Sequence, residues 1–385
     1  MAATLRIVAD RVIAQAAEAF GALGELVLAD GRAIDRGLVA DCDILLVRSV
    51  TRVDAALLAG SRVRFVGTAT AGTDHVDLAW LAHQGIAFAA APGCNARPVG
   101  EYVLACVLAH ARARGRDPAS YTAAIIGCGH AGGWAARLLE ALGLRCLRND
   151  PPRALREPEF LPLAEVLAAA DVVTLHVPLS DEGPFPTRGL LGAAELAALK
   201  PGALLVNAAR GGVVDEAAWL GALRAGRLHA AVDCWLGEPE VSAELLAAAF
   251  VATPHVAGHS IDARLRATSQ LRLALVAWLA REGRSAAGWR PVPAAEPPPH
   301  ALAAGSDVLA AAVFGCCDPR AWTARTRAAL AAETTAAGRR AAFDRLRAEF
   351  GRRREFGAIP IALAAPAPDT ARVLATLGFT LVTRR

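Results

Sequence analysis

The stretch that most constrains this chain reads Thr122-Ala-Ala-Ile-Ile-Gly127-Cys-Gly129-His-Ala-Gly132-Gly133-Trp-Ala-Ala-Arg-Leu-Leu139. An apolar run, three glycines spaced G-x-G-x-x-G and a helix-forming segment predict a strand, a tight turn and a helix N-terminus. Gly127 permits the turn, Gly129 lets a diphosphate approach the backbone, and Gly132 allows close helix–strand packing, with the anion held by the first helical N–H groups. The next predicted strand closes at Arg148-Asn149-Asp150-Pro151. Asp150 stands about 20 residues beyond the glycines, where an acid accepts hydrogen bonds from ribose hydroxyls. Such a carboxylate repels a 2′-phosphate, so NAD is expected rather than NADP, although Arg148 and Arg153 are close by.

With 385 residues the chain exceeds one ordinary core, and two or three domains are expected. Hydrophobic residues make up 54% and charged residues 20%, yet no uncharged apolar run approaches the ~18 residues of a membrane span. The opening segment carries Arg6 and Asp10 where a secretory signal would need apolar residues, so a cytoplasmic protein is expected. The net charge of +4 comes from arginines dispersed among acids, which argues against nucleic acid as a partner. The eight cysteines form no C-x-x-C pair and show no ligand spacing with histidine, so no metal site is expected.

Short apolar runs at Leu5–Val8, Glu25–Leu28, Asp43–Val47, Val63–Thr68 and Gly85–Phe88 alternate with helix-like segments, the pattern of a parallel α/β sheet. A helix opening at Arg97-Pro98 leads to a second set of strands, at Ala123–Ile126, Arg145–Leu147, Val172–His176, Ala203–Asn207 and Ala230–Asp233. A helix to about Arg281 returns the chain to the first domain. Five prolines follow between Ser285 and His300, a linker by composition. The expected organisation is a discontinuous flavodoxin-like substrate domain (1–98 and 259–285), a Rossmann-type doubly wound nucleotide domain (99–258), a linker (286–300) and a small α/β C-terminal domain (301–385). In that last domain strands are expected at Ile359–Ala364 and Thr380–Val382.

The segment Leu199-Lys-Pro-Gly202-Ala-Leu-Leu-Val-Asn207-Ala-Ala-Arg210-Gly211-Gly-Val-Val-Asp215 resembles the signature of the D-2-hydroxyacid dehydrogenase family. Asp233-Cys-Trp-Leu-Gly237-Glu238-Pro239 resembles the family's acid-bearing segment, and Pro254-His255-Val-Ala-Gly258 its histidine segment. The resemblance implies a catalytic trio of Arg210, Glu238 and His255. A guanidinium at Arg210 gives a substrate carboxylate two parallel charge-assisted hydrogen bonds. Oxidation of a secondary alcohol needs a base near working pH, which an imidazole at His255 supplies, with Glu238 to orient and support it. The resemblance also places Asp233 and Gly258, with Gly127, Gly129, Gly132 and Asp150, at the NAD site. His259 reads as a loop residue rather than a second base.

A narrower resemblance, to a branch of the family acting on a phosphorylated 2-hydroxy acid, runs through Leu46–Val53, Phe65–Asp77, Ala91–Ala96 and the tail segment Phe343–Phe356. It implies substrate contacts at Ser49 and Thr70 and a tail associated with a homodimer. Arg48, or Arg353 and Arg354 brought by a partner subunit, is expected to supply charge to the phosphate. The segment after Asp10, Ser260–Arg264 and Cys316–Pro319 depart from the branch's usual pattern. The alternatives are a dehydrogenase of the phosphoglycerate or hydroxypyruvate/glyoxylate type and a non-catalytic NAD-sensing scaffold.

Overall fold

The structure is a computed structural model and describes residues 4–286, 288–302, 307–363 and 368–383. It divides into two compact units, Met1–Asn95 with Ile261–Ala295, and Ala96–Ser260 with Glu296–Arg385.

The first unit holds a sheet of β1 (Arg6–Asp10), β2 (Glu25–Ala29), β3 (Ile44–Val47), β4 (Phe65–Thr68) and β5 (Ala87–Ala89), ordered β2-β1-β3-β4-β5. All pairings are parallel, which is the flavodoxin-like order. Period-2 alternation splits each central strand between two cores. Ile7, Ile44, Leu46 and Phe65 face the helix Ile261–Arg281 through Leu271, Leu275 and Trp278, while Val8, Leu45, Val47 and Val66 pack with Leu58 and Leu81 on the other side. A Cβ on Gly67 would stand 2.4 Å from Leu271 Cδ1, so a glycine lets the long helix lie on β4. Within the proline-rich stretch Val292 exchanges two hydrogen bonds with the Gln15 side chain.

In the second unit β6 (Thr122–Ile126), β7 (Arg145–Asn149), β8 (Val172–Leu175), β9 (Ala203–Asn207), β10 (Leu228–Val232) and β11 (Val251–Ala252) form a parallel sheet ordered β11-β10-β9-β8-β6-β7. Outside β7, Phe160-Leu161 runs where a doubly wound sheet would place its next strand. Leu161 N–H donates to the Arg148 carbonyl and Asn149 Nδ2 to the Leu161 carbonyl, and Pro162 ends the pairing. The helix Ala96–Ala113 packs along the helix His130–Ala141, and a Cβ on Gly100 would meet the Trp134 carbonyl carbon at 2.9 Å.

The tail belongs to this unit. Its strands β12 (His300–Ala301), β13 (Pro360–Leu363) and β14 (Thr380–Thr383) make a parallel sheet ordered β12-β13-β14. Ala364, where the sequence predicts β13 to end, lies outside the described residues. Val313, Phe356, Ile361 and Phe379 share one core with Tyr102, Val107, Ile125 and Leu204.

Candidate active site

The glycine turn has the expected form. Gly127 sits at φ +85°, where a side chain is strained, and a Cβ there would lie 2.9 Å from the His176 carbonyl carbon. A Cβ on Gly132 would fall 2.0 Å from the Gly127 carbonyl oxygen, whereas one on Gly129 would meet nothing within 4 Å. Gly129 caps the helix His130–Ala141 without a side-chain hydrogen bond, leaving its first N–H groups to a ligand. Asp150 follows β7; one carboxylate oxygen accepts the Cys128 N–H at 2.8 Å and the other the Arg153 N–H at 3.3 Å. An open face at Gly129, an uncapped helix start and a carboxylate hydrogen-bonded to the turn suit a dinucleotide.

Two loops of the same unit carry the acid and the imidazole. Glu238 Oε1 accepts the Trp235 N–H at 2.8 Å, and Oε2 lies 2.7 Å from His255 Nδ1. The carboxylate is acceptor-only when ionised, so Nδ1 carries the proton and Nε2 is left with a lone pair. Burial pushes the Glu238 carboxyl up. The charge and hydrogen bond of His255, the Trp235 N–H and the charge of Arg347 outweigh it, and the group ends below its usual range. The side chains of His255 and Glu238 keep 27% and 21% of their exposure, so the ring is held yet reachable.

His255 has φ +54°, a left-handed conformation unusual for a residue with a Cβ. Its neighbours impose it. The buried Asp233 accepts the Thr253 hydroxyl at 2.7 Å and the Val256 N–H at 2.8 Å on one oxygen, and the Ala257 N–H at 2.9 Å on the other. Trp235 Nε1 donates to the Thr253 carbonyl at 2.8 Å; the Tyr102 hydroxyl, 2.7 Å from Thr253 Oγ1, completes the chain. Burial raises the Asp233 carboxyl, opposed by the charge of His255 and by these donors. Asp233 thus spends its carboxylate on the loop that aims the imidazole, and Gly258 follows directly on that loop.

Arg210 lies just after β9, partly exposed, with Nη1 donating to the Ala209 carbonyl at 2.8 Å. Asn207, the last residue of β9, shapes this turn: Nδ2 donates to the Arg210 carbonyl at 2.9 Å and Oδ1 accepts the Ala209 N–H at 3.1 Å. A Cβ on Gly211 would stand 2.0 Å from the Trp235 carbonyl oxygen, so the arginine turn presses on the loop bearing Glu238. Asn207, Gly211, Thr253 and Tyr102 escape a sequence reading because their roles depend on strands meeting in space. The Cys234 thiol lies near this pair, its sulfur and the ligating atoms of Glu238 and His255 all within 4.8 Å. Burial pushes the thiol far up, and the acid and imidazole already bond to each other, so the cluster reads as packing behind the pair.

Ser49 and Thr70 belong to the other unit. Ser49 is exposed; Thr70 Oγ1 donates to the Gly72 carbonyl at 2.7 Å and sits 2.8 Å from Thr68 Oγ1. Arg48 pairs with the buried Asp10 at 2.9 Å. Arg353 corrects an expectation. It is 5% exposed and donates to Glu101 Oε2 at 2.7 Å and to the Pro98 carbonyl at 2.8 Å, so its charge is consumed within its own chain rather than offered to a partner.

The model of the D-isomer specific 2-hydroxyacid dehydrogenase NAD binding domain matches residues 101–257. The fold recurs in a D-lactate dehydrogenase from Aquifex aeolicus, solved with NAD and lactic acid, at a TM-score of 0.60 and 22% identity over 72% of this chain and 96% of that one. The chain belongs to the D-isomer specific 2-hydroxyacid dehydrogenase family, and it is an oxidoreductase that uses NAD. Its curated relatives carry a particular name. A protein from Pseudomonas paraeruginosa, 45% identical over 98% of this chain and 100% of its own length, is an erythronate-4-phosphate dehydrogenase, as is one from Azotobacter vinelandii at 44% over 97% and 99%. Among the described residues no helix is long and apolar enough to cross a membrane.

Proposed function

We propose that the chain oxidises 4-phospho-D-erythronate to (R)-3-hydroxy-2-oxo-4-phosphobutanoate with NAD, a step towards pyridoxal 5′-phosphate. The observation that carries this reading is the likeness to erythronate-4-phosphate dehydrogenases across nearly the whole chain, tail included. NAD, when bound, supplies the hydride acceptor.

The remaining steps fall to the chain's own residues. His255 Nε2, left basic because Nδ1 donates to Glu238, takes the proton of the C2 hydroxyl. Glu238 then faces the imidazolium as a carboxylate and stabilises it. Arg210 clamps the substrate carboxylate through its guanidinium fork, and in the reverse direction polarises the ketone oxygen. Gly127, Gly129, Gly132, Asp150, Asp233 and Gly258 form the NAD site, and Ser49 and Thr70 contact the substrate, as the family resemblance implies. By the same resemblance residues 1–98 and 259–285 act as the substrate domain, 99–258 as the NAD domain, and 286–300 link them to a dimerisation domain at 301–385. The enzyme works in the cytoplasm as a homodimer; mass measurement finding only monomer at micromolar concentration contradicts that assembly.

The test compares kcat/KM of the purified protein on 4-phospho-D-erythronate, 3-phosphoglycerate and glycerate. A preference of about tenfold or more for the first is expected, equivalent to roughly 1.4 kcal/mol of transition-state discrimination. A preference of that size for either of the others overturns the substrate.

A further inference from the structure

We infer that Arg347, on the tail helix Ala336–Phe350, binds the phosphate of the substrate and so makes the tail a determinant of specificity. The inference rests on the reading that the substrate is a phosphorylated hydroxy acid.

The helix is laid over the two loops that carry the acid and the imidazole. Phe343 is buried in the same core as Trp235, while Leu346 and Phe350 are buried against Val256. Arg347 follows Leu346 and stands one turn beyond Phe343, on the side of the helix that meets those loops. Its charge is felt at both Glu238 and Cys234, which sets the guanidinium in the neighbourhood of the catalytic pair.

What separates Arg347 from the other arginines around it is the lack of a matched acid. Arg340 pairs with Glu240 at 2.7 Å, Arg325 with Glu349 at 2.6 Å, and Arg353 with Glu101 at 2.7 Å. The Nε of Arg347 is buried without a hydrogen-bond partner among the described residues. Glu238, the acid on which its charge acts, already spends its two oxygens on Trp235 and His255. A buried donor without an acceptor is costly in the free protein and is satisfied when an anion arrives. A phosphate ester is a dianion whose oxygens fit the guanidinium fork. The substrate is charged at both ends, with its carboxylate assigned to Arg210 and its reacting carbon to His255. The phosphate two carbons further on needs a second cation near the pair, and of these four arginines Arg347 is the one with no acid paired to it among the described residues.

The experiment measures kcat/KM for 4-phospho-D-erythronate and for unphosphorylated D-erythronate with the full-length protein and its Arg347→Gln and Arg347→Lys variants. Arg347→Gln is expected to lower kcat/KM on the phosphate ester about 10²-fold, mainly through KM, and to change that on D-erythronate less than about threefold. Arg347→Lys, which keeps the charge but loses the fork, is expected to lose about tenfold of the preference, and it decides the matter alone if the glutamine variant does not fold. An unchanged preference in the variants, or an equal fall on both substrates, overturns the inference. A wild-type protein with no preference for the phosphate ester instead overturns the reading on which it rests.

Discussion

His255 is the residue at which local cost and function meet. A left-handed backbone for a residue with a Cβ costs about 1–2 kcal/mol and persists only where its surroundings over-determine it. Here Asp233 supplies that constraint through the Val256 and Ala257 N–H groups and the Thr253 hydroxyl. Asp233→Asn would turn an amide donor toward one of those donors. The variant is expected to lose about 1–3 kcal/mol in chemical denaturation and to turn over more slowly; wild-type values for both contradict the role. Glu238 offers a second test through pH. Its folded carboxyl titrates below the unfolded value of 4.5, so its ionisation stabilises the fold above that pH and the contribution is lost as pH falls through the lower, folded value. Glu238→Gln is therefore expected to lose less stability than the wild type between neutral pH and the acid range, and to fall about 10²-fold in kcat/KM. Parallel acid titrations of the two proteins would argue against an ionised Glu238 in the fold. Arg210, Glu238 and His255 are legible in the sequence because each sits in a contiguous string whose residue types suit the reaction. Asn207, Thr253 and Arg347 are not, since each acts through a neighbour brought close only by folding.

At the scale of the element, the glycine turn separates two demands that the sequence presents as one motif. Gly132 serves the protein, because a Cβ would run into the Gly127 carbonyl oxygen at 2.0 Å, and backbone cannot swing away as a side-chain tip can. Gly129 serves the ligand, because a Cβ there meets nothing within 4 Å and its φ of −72° is open to any residue. Gly132→Ala is expected to lower both stability and NAD affinity. Gly129→Ala is expected to keep the melting temperature within about 2 °C and to weaken NAD binding at least tenfold in a fluorescence titration. Wild-type affinity in Gly129→Ala would mean that the diphosphate does not approach that face. Strand order follows from the alternation of apolar runs and helices, and β1 to β10 fall within a few residues of their expected positions. The run Phe160-Leu161 was not legible as an edge segment, because two hydrogen bonds beside β7 leave no periodic trace in sequence.

For the molecule as a whole, the tail's placement carries the most consequence. Its strands and helices share one core with the second unit, and that core is threaded by the pair Arg353–Glu101, both side chains at or below 5% exposure. Burial pushes the Glu101 carboxyl up and Arg353 opposes it, so each charge depends on the other. Arg353→Met leaves Glu101 without its main partner and is expected to cost about 3–5 kcal/mol, with the tail and the NAD-binding portion unfolding in one transition. A separate early transition for the tail contradicts a shared core. In sequence Arg353 reads as charge on offer to a phosphate, because burial of a guanidinium needs an acid that lies far off in the chain, here Glu101. The account as a whole depends on the imidazole as the base. Its most direct test is the turnover of 4-phospho-D-erythronate by full-length His255→Ala protein that binds NAD as the wild type does. A fall of about 10³-fold or more in kcat is predicted, and near wild-type turnover would contradict it.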